Sequence, residues 1–266
     1  MLLYPNAKIN IGLNIVKKLN NGYHDIESCF CPVSLYDIIE IKQGEKDHLS
    51  LSGIKIDGEI SNNIIVKALK IFNCNKKFRI HLHKKIPIGA GLGGGSSDGS
   101  SILNFLNSNF NKFNKKEILK ESNKLGSDCP FFIHNKTQYV TGTGNNFEDI
   151  NIDLSNKKIV IVDPRTSINT TKAYKNIIPQ KPKYHLKEIL ENENLDNWKK
   201  YIKNDFEEYA FSKIKILKKI KSNLNKLGAK YISLSGSGSC IYGIFKEKDI
   251  SENDIGFDNY IVDIIG

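Results

Sequence analysis

Between Gly89 and Gly95 five of the seven residues are glycine, and the run stands behind Pro87 and directly before Ser96, Ser97 and Asp98. Glycine has no Cβ to shield the backbone, so Gly89, Gly91, Gly93, Gly94 and Gly95 leave their amides open to close approach. The two hydroxyls fall where the next segment begins a helix, with Ile102, Leu103, Phe105, Leu106 and Phe110 along one stripe. Backbone N–H groups at a helix start attract anions, and this arrangement suits the polyphosphate of a nucleotide. It is not a Walker loop, because no lysine follows the glycines. Gly89-x-Gly91-x-x-Gly94 fits a dinucleotide fingerprint, but its place about a third of the way along the chain is wrong for a first βα turn.

The elements that must hold this loop show in the periodicity. Lys8 to Val16 alternates apolar and small polar residues as a strand, Asn20-Asn21-Gly22 makes a turn, and strands follow at about Asp25 to Val33 and at Ile38 to Ile41. Asn62 to Phe72 has helical spacing, Phe78 to His83 alternates as a strand ended by Pro87, and a helix over about Lys115 to Leu125 stops at Gly126. Beyond the strand Lys158 to Val162 longer helices take over, which predicts a boundary near residue 154. Phe211, Ile214, Leu217, Ile220, Leu224 and Leu227 predict one helix closed by Gly228, with strands at Tyr231 to Ser235 and Cys240 to Phe245 around Gly236-Ser237-Gly238-Ser239. The expected class is α+β, in two close-packed domains, residues 1–153 and 154–266.

The 266 residues, 39% hydrophobic and 26% charged, suffice for a real core. No apolar stretch nears the roughly 18 residues that span a bilayer, and no signal-like segment opens the chain. The expectation is a cytoplasmic protein beginning near Met1, with no membrane partner. Five scattered cysteines lack zinc spacing and read as reduced thiols, and His81-x-His83 reads as a pair of solvent-edge histidines. The net charge of +10 invites a nucleic-acid partner, yet only Arg79 and Arg165 are arginines. Arginine is the residue suited to bidentate phosphate and base contacts, so the lysines read as solvated surface and no nucleic acid is expected.

Four segments together resemble the GHMP kinases. They are Pro5 to Leu13 with Gly22-Tyr23-His24, the glycine run from Pro87 to Ser97, Leu125 to Phe132, and Leu234 to Cys240. The triple glycine before Ser-Ser is similar to the members that act on a cytidine diphosphate-linked methylerythritol, rather than those acting on mevalonate or homoserine. The chain departs from the commonest pattern at Asn6, Ala90 and Asp98 to Ser101, and Asp98 brings a negative charge for which the sequence offers no role.

The resemblance implies a two-domain fold, its N-terminal half like the second domain of ribosomal protein S5 and its C-terminal half a GHMP kinase C-terminal domain. It implies ATP with Mg2+, and phosphorylation of the substrate's 2-hydroxyl in the non-mevalonate route to isoprenoid precursors. Lys8 and Asp128 match the family's catalytic pair; taken alone, each is an ordinary surface charge. Pro87, Gly89, Gly91, Gly93, Gly94, Gly95, Ser96 and Ser97 match the nucleotide loop. Tyr23 and His24 stand where the family reads cytosine, with Tyr174 as a second stacking ring and Asn10 and Thr170 as polar contacts. Asn204-Asp205-Phe206-Glu207 is similar to a family segment that packs beneath the site. Ser97 is a candidate for the metal, whose protein ligand stays unassigned, as does the oligomeric state.

Overall fold

The computed structural model describes residues 1–246, 250 and 254–265. Its strands are β1 (Leu2–Leu3), β2 (Asn6–Lys18), β3 (His24–Tyr36), β4 (Ile38–Gly44), β5 (His48–Gly53), β6 (Lys77–Lys84), β7 (Gln138–Gly142), β8 (Asn146–Asp149), β9 (Lys157–Val162), β10 (Tyr231–Leu234), β11 (Ile241–Lys246) and β12 (Asn259–Val262). Its α-helices are α1 (Ile64–Phe72), α2 (Gly94–Phe110), α3 (Lys115–Leu125), α4 (Cys129–His134), α5 (Thr170–Lys175), α6 (Leu186–Asn192), α7 (Leu195–Tyr201), α8 (Glu207–Lys213) and α9 (Ile216–Lys226). They form two compact units interleaved along the chain, the first made of Met1–Ala7, Leu35–Ile88 and Gly93–Lys136 and the second of Lys8–Ser34, Gly89–Leu92 and Thr137–Gly266.

In the first unit a four-stranded sheet runs β1-β4-β6-β5. Strands β5 and β6 are parallel, so the chain must cross over between them, and α1 is that crossover. Alternation fixes which face is buried: Phe78, Ile80 and Leu82 of β6 join Ile65, Ala68 and Phe72 of α1 and Ile102, Leu103 and Leu106 of α2 in one core. Each Ile, Leu or Phe side chain there contributes roughly 1.5–3 kcal/mol on burial. Local chemistry sets the helix ends. The Asn63 side chain accepts from Ile65 N at 2.9 Å to open α1, and Asn114 with Glu117 forms a capping box that opens α3. Helix α3 spans the expected residues, but Gly126 ends it in extended backbone (φ 171°) rather than as a left-handed cap.

The polar face of this sheet carries His81 and His83. Ser50 and Ser52 reach the two ring nitrogens of His81 at 2.9 and 2.8 Å, and Ser52 also reaches His83 Nδ1 at 2.9 Å. Among the described residues no group of three or more His, Cys, Asp or Glu side chains gathers as a metal site.

The second unit contains the sheet β10-β11-β9-β12, and β2-β3-β7-β8 form the remaining one. The β2–β3 turn is the one the sequence predicts: Gly22, at φ 85°, donates to Leu19 O at 3.0 Å. One expectation fails. The apolar series from Phe211 to Leu227 is two helices, α8 and α9, because the backbone leaves helical angles at Ile214 (φ −123°, ψ 93°). Such spacing reports which residues are buried, and both segments keep their buried faces across the break. All five cysteines are free thiols. No helix among the described residues is long and apolar enough to cross a membrane.

Candidate active site

In the second unit three of the motif segments meet. Lys8 N donates to Leu92 O at 2.9 Å, tying β2 to the first half of the glycine run. Cys240 N donates to Ala90 O at 3.1 Å, and Ser235 Oγ donates to Gly91 O at 2.9 Å, tying that half to the Ser235–Cys240 loop. The approach is close enough that a Cβ on Gly91, which also holds φ +80°, would overlap the Ser235 carbonyl oxygen. Asn204 braces the same loop from below, donating to Leu234 O at 2.9 Å and Gly236 O at 2.8 Å. Glu207 adds a bond from Leu234 N at 3.1 Å.

The side chain of Lys8 is buried. Its ammonium donates to Asn10 Oδ1 and lies 4.7 Å from the centroid of Phe30. Asn10 Nδ2 in turn donates to Ser28 Oγ at 3.1 Å, and Ser28 Oγ donates to Gly12 O at 2.6 Å. This chain has a direction: the Ser28 hydroxyl spends its proton on Gly12, so it accepts from the Asn10 amide, and the Asn10 carbonyl is thereby turned to Lys8. Tyr242 OH fixes the Asn10 backbone, donating to its carbonyl at 2.7 Å.

The same unit holds the aromatic group. The His24 and Tyr174 rings lie 4.9 Å apart at 31°, and Tyr174 meets Phe206 edge-on at 4.8 Å. Burial, then the positive charge of Lys18, lower the His24 pKa below its usual value, which favours a neutral imidazole able both to donate and to accept. Tyr23 is 63% exposed beside the turn. Thr170 Oγ1 lies 3.1 Å from Ser237 Oγ, joining the start of α5 to the Ser235–Cys240 loop.

The first unit holds the second half of the glycine run and the loop of Asp128. Helix α2 begins at Gly94 with Gly93 as N-cap (φ 70°) and no side-chain cap. A Cβ on Gly95 would meet nothing within 4 Å, so this helix start is open. Its N–H groups and the half-buried Ser96 fit a phosphate chain, while Ser97 is buried and donates its N–H to Gly93 O at 2.9 Å. Asp128 is half-buried and is the N-cap residue of α4. Ser100 Oγ donates to Cys129 O at 2.9 Å, locking α4 to α2. Burial pushes the Cys129 thiol up to about 11, against the hydroxyls of Ser96 and Ser100, and it stays protonated.

The structure thus brings Lys8, Asn10, Gly89, Gly91, His24, Thr170 and Tyr174 into one unit, and Gly93, Gly94, Gly95, Ser96, Ser97 and Asp128 into the other. Sequence reasoning passed over Ser28 and Phe30, and it had Ser235 only as part of a motif segment. The only available signal for Ser28 is the period of two, which places it on the same face of β3 as Phe30.

Comparison with known proteins agrees over the whole chain. Residues 63–136 match the GHMP kinases N terminal domain, and residues 186–255 match the GHMP kinases C terminal domain. A 4-diphosphocytidyl-2-C-methyl-D-erythritol kinase of Azobacteroides pseudotrichonymphae is 42% identical over 252 residues, covering 93% of this chain and 94% of the relative. One of Bacteroides thetaiotaomicron is 39% identical, covering 96% of each. A crystal structure of a 4-(cytidine 5'-diphospho)-2C-methyl-D-erythritol kinase superposes with a TM-score of 0.83 over 100% of both chains at 24% identity, which establishes the two-domain α+β fold with its S5-like N-terminal half. The chain belongs to the 4-diphosphocytidyl-2-C-methyl-D-erythritol kinase family of the GHMP kinases.

Proposed function

We propose that the protein transfers the γ-phosphoryl group of ATP to the 2-hydroxyl of 4-diphosphocytidyl-2-C-methyl-D-erythritol, in the non-mevalonate route to isoprenoid precursors and in the cytoplasm. The observation that carries this is the meeting, within one unit, of Lys8 and Asn10, the first half of the glycine run and the Ser235–Cys240 loop. The two family matches fall on either side of residue 154, in keeping with segments 1–153 and 154–266.

In this reading the open start of α2 takes the nucleotide phosphates through its N–H groups and Ser96. Asp128 accepts the proton of the acceptor hydroxyl as its oxygen bonds to phosphorus and the bond to ADP breaks. Lys8 keeps the reacting groups oriented, its ammonium held by Asn10, and Asn10 is held by Ser28. When bound with ATP, magnesium would supply positive charge to the phosphates. At the other end of the substrate His24 bonds to the edge of the cytosine, Tyr23 and Tyr174 supply stacking faces, and Thr170 adds a polar contact.

The test is ADP release from ATP with the cytidylyl alcohol, mevalonate or homoserine as acceptor. The expected result is turnover with the first alone. Turnover with mevalonate or homoserine and none with the cytidylyl alcohol refutes the substrate assignment, and no ATP-dependent turnover with any of them refutes the kinase reading.

A further inference from the structure

Beneath the start of α2 lies a charged cluster that the mechanism above does not use. Lys84, at the end of β6, is 3% exposed and donates to Asp37 Oδ2 and, at 2.8 Å, to Asp98 Oδ2. Asp37 Oδ1 also accepts from the backbone N–H of Lys85 at 2.6 Å and of Ile86 at 2.8 Å, so its carboxylate is saturated with donors. Asp98 is 1% exposed and its Oδ1 has no hydrogen-bond partner. The cluster reaches the glycine run directly: a Cβ on Gly94 would stand 2.9 Å from Lys84 Nζ and 2.8 Å from Ile86 Cγ2. A side chain there would force Ile86 and the Lys84 ammonium to shift, so the cluster lies directly beneath the first residue of the helix.

Building on the assignment of this turn to nucleotide phosphate, we propose that Asp37, Lys84 and Asp98 form its seat. Asp98 acts as a positioning residue: it holds the Lys84 ammonium under Gly94 and controls the charge that an incoming polyphosphate meets.

The charge follows from the surroundings. Two carboxylates share one ammonium, so full ionisation leaves a net negative charge in the core directly under an anion site. Burial raises the Asp98 pKa to about 8; Lys84 opposes the shift and Asp37 adds to it. Lys84 and Asp37 are the charged groups that act on Asp98. Helices α1 and α3 close over Gly99 with Ile64 and Leu125, and the lysines of α1, Lys67 and Lys70, are exposed. Helix α4 contributes the Cys129 carbonyl to Ser100 and a thiol that is itself un-ionised. At neutral pH Asp98 is therefore a neutral acid, Lys84 is matched by Asp37, and the seat is uncharged overall. Above pH 8 Asp98 ionises, four residues or roughly 6 Å of helix rise from Gly94, and repels the phosphates.

The experiment is calorimetric titration of the full-length protein with ATP and magnesium from pH 7 to pH 9, for the wild type, Asp98→Asn and Asp98→Ala. The wild-type Kd is expected to rise about tenfold across this range with a midpoint near pH 8. Asp98→Asn, which keeps a bond to Lys84 but cannot ionise, is expected to lack that rise. Asp98→Ala, which frees one side of the ammonium, is expected to weaken ATP at every pH, with Asp98→Asn restoring most of the loss at pH 7. A merely structural role for Asp98 does not produce an alkaline limb that an isosteric amide removes. The inference is overturned if Asp98→Asn follows the wild-type curve, or if Asp98→Ala binds ATP as the wild type does. A wild type that binds no ATP at any pH overturns the nucleotide assignment as well, which separates the two failures.

Discussion

Adjacent glycines in the open turn of α2 give opposite expectations when a single methyl group is added. Gly95→Ala places a Cβ where nothing lies within 4 Å, in ordinary helical backbone. The fold should gain, because alanine in a helix is better than glycine by about 0.5–1 kcal/mol. For a chain of this size that is a rise in Tm of about 2 °C. ATP should lose, because the methyl stands over the backbone that the phosphates approach. Losing one hydrogen bond to a charged group costs about 1.5–3 kcal/mol, a rise in Kd of roughly 10- to 100-fold. Gly94→Ala differs in sign for stability: its Cβ would meet Ile86 Cγ2 at 2.8 Å and Lys84 Nζ at 2.9 Å. Overpacking of that kind costs about 1–3 kcal/mol, so stability and ATP binding fall together. Thermal unfolding and ATP calorimetry on both variants read the two quantities independently. A Gly95→Ala protein that is more stable and binds ATP with wild-type affinity refutes the placement of the phosphates at this turn.

Asp128→Asn should lower kcat by about 10²–10⁴-fold with little change in ATP affinity; near-wild-type turnover in a folded variant removes Asp128 from the proton transfer. Ser28→Ala removes the acceptor of the Asn10 NH2 and so loosens the carbonyl that receives the Lys8 ammonium, and steady-state kinetics should show kcat falling about tenfold, the worth of one hydrogen bond, while Ser28→Thr keeps the chain and most of the rate. His24→Ala should raise KM for the cytidylyl alcohol by the roughly 1–3 kcal/mol of an unpaired polar edge and leave KM for ATP unchanged; because the His24 pKa is lowered, wild-type KM should hold at neutral pH and rise only as acid protonates the ring. Asp98 also predicts a pH dependence of stability: its folded pKa of about 8 lies above the unfolded 3.8, so the folded chain binds the extra proton between them. Its contribution is complete below about pH 4 and is lost as pH rises through 8, and wild-type Tm should fall relative to Asp98→Asn across that window.

What the sequence determined by itself is what short-range rules govern. The Asn63 and Asn114 caps, the Gly22 turn, the alternation of β6 and the uncovered start of α2 each depend on residues two to four apart, where sterics and one hydrogen bond decide the outcome. The four motif segments were legible for the same reason, as local patterns, and they carried the family.

Only the tertiary structure decided which of them share a unit. The interleaving breaks the chain at Ala7, at Ser34 and within the glycine run itself, between Leu92 and Gly93, where no change of composition marks a boundary. The supports of the site are equally non-local: Tyr242 holds Asn10 across 232 residues, and Glu207 holds Leu234 across 27. Asp98 is the clearest case, since by sequence it is a carboxylate out of place beside a phosphate loop. Its meaning comes from burial and from Lys84 and Asp37, 14 residues from Lys84 to Asp98 and 47 from Asp37 to Lys84, groups brought together when β6, the start of β4 and α2 close on one core. Desolvation is a property of that packed surrounding and not of any neighbour in the chain, so the protonation state of such a residue is set only once the fold exists.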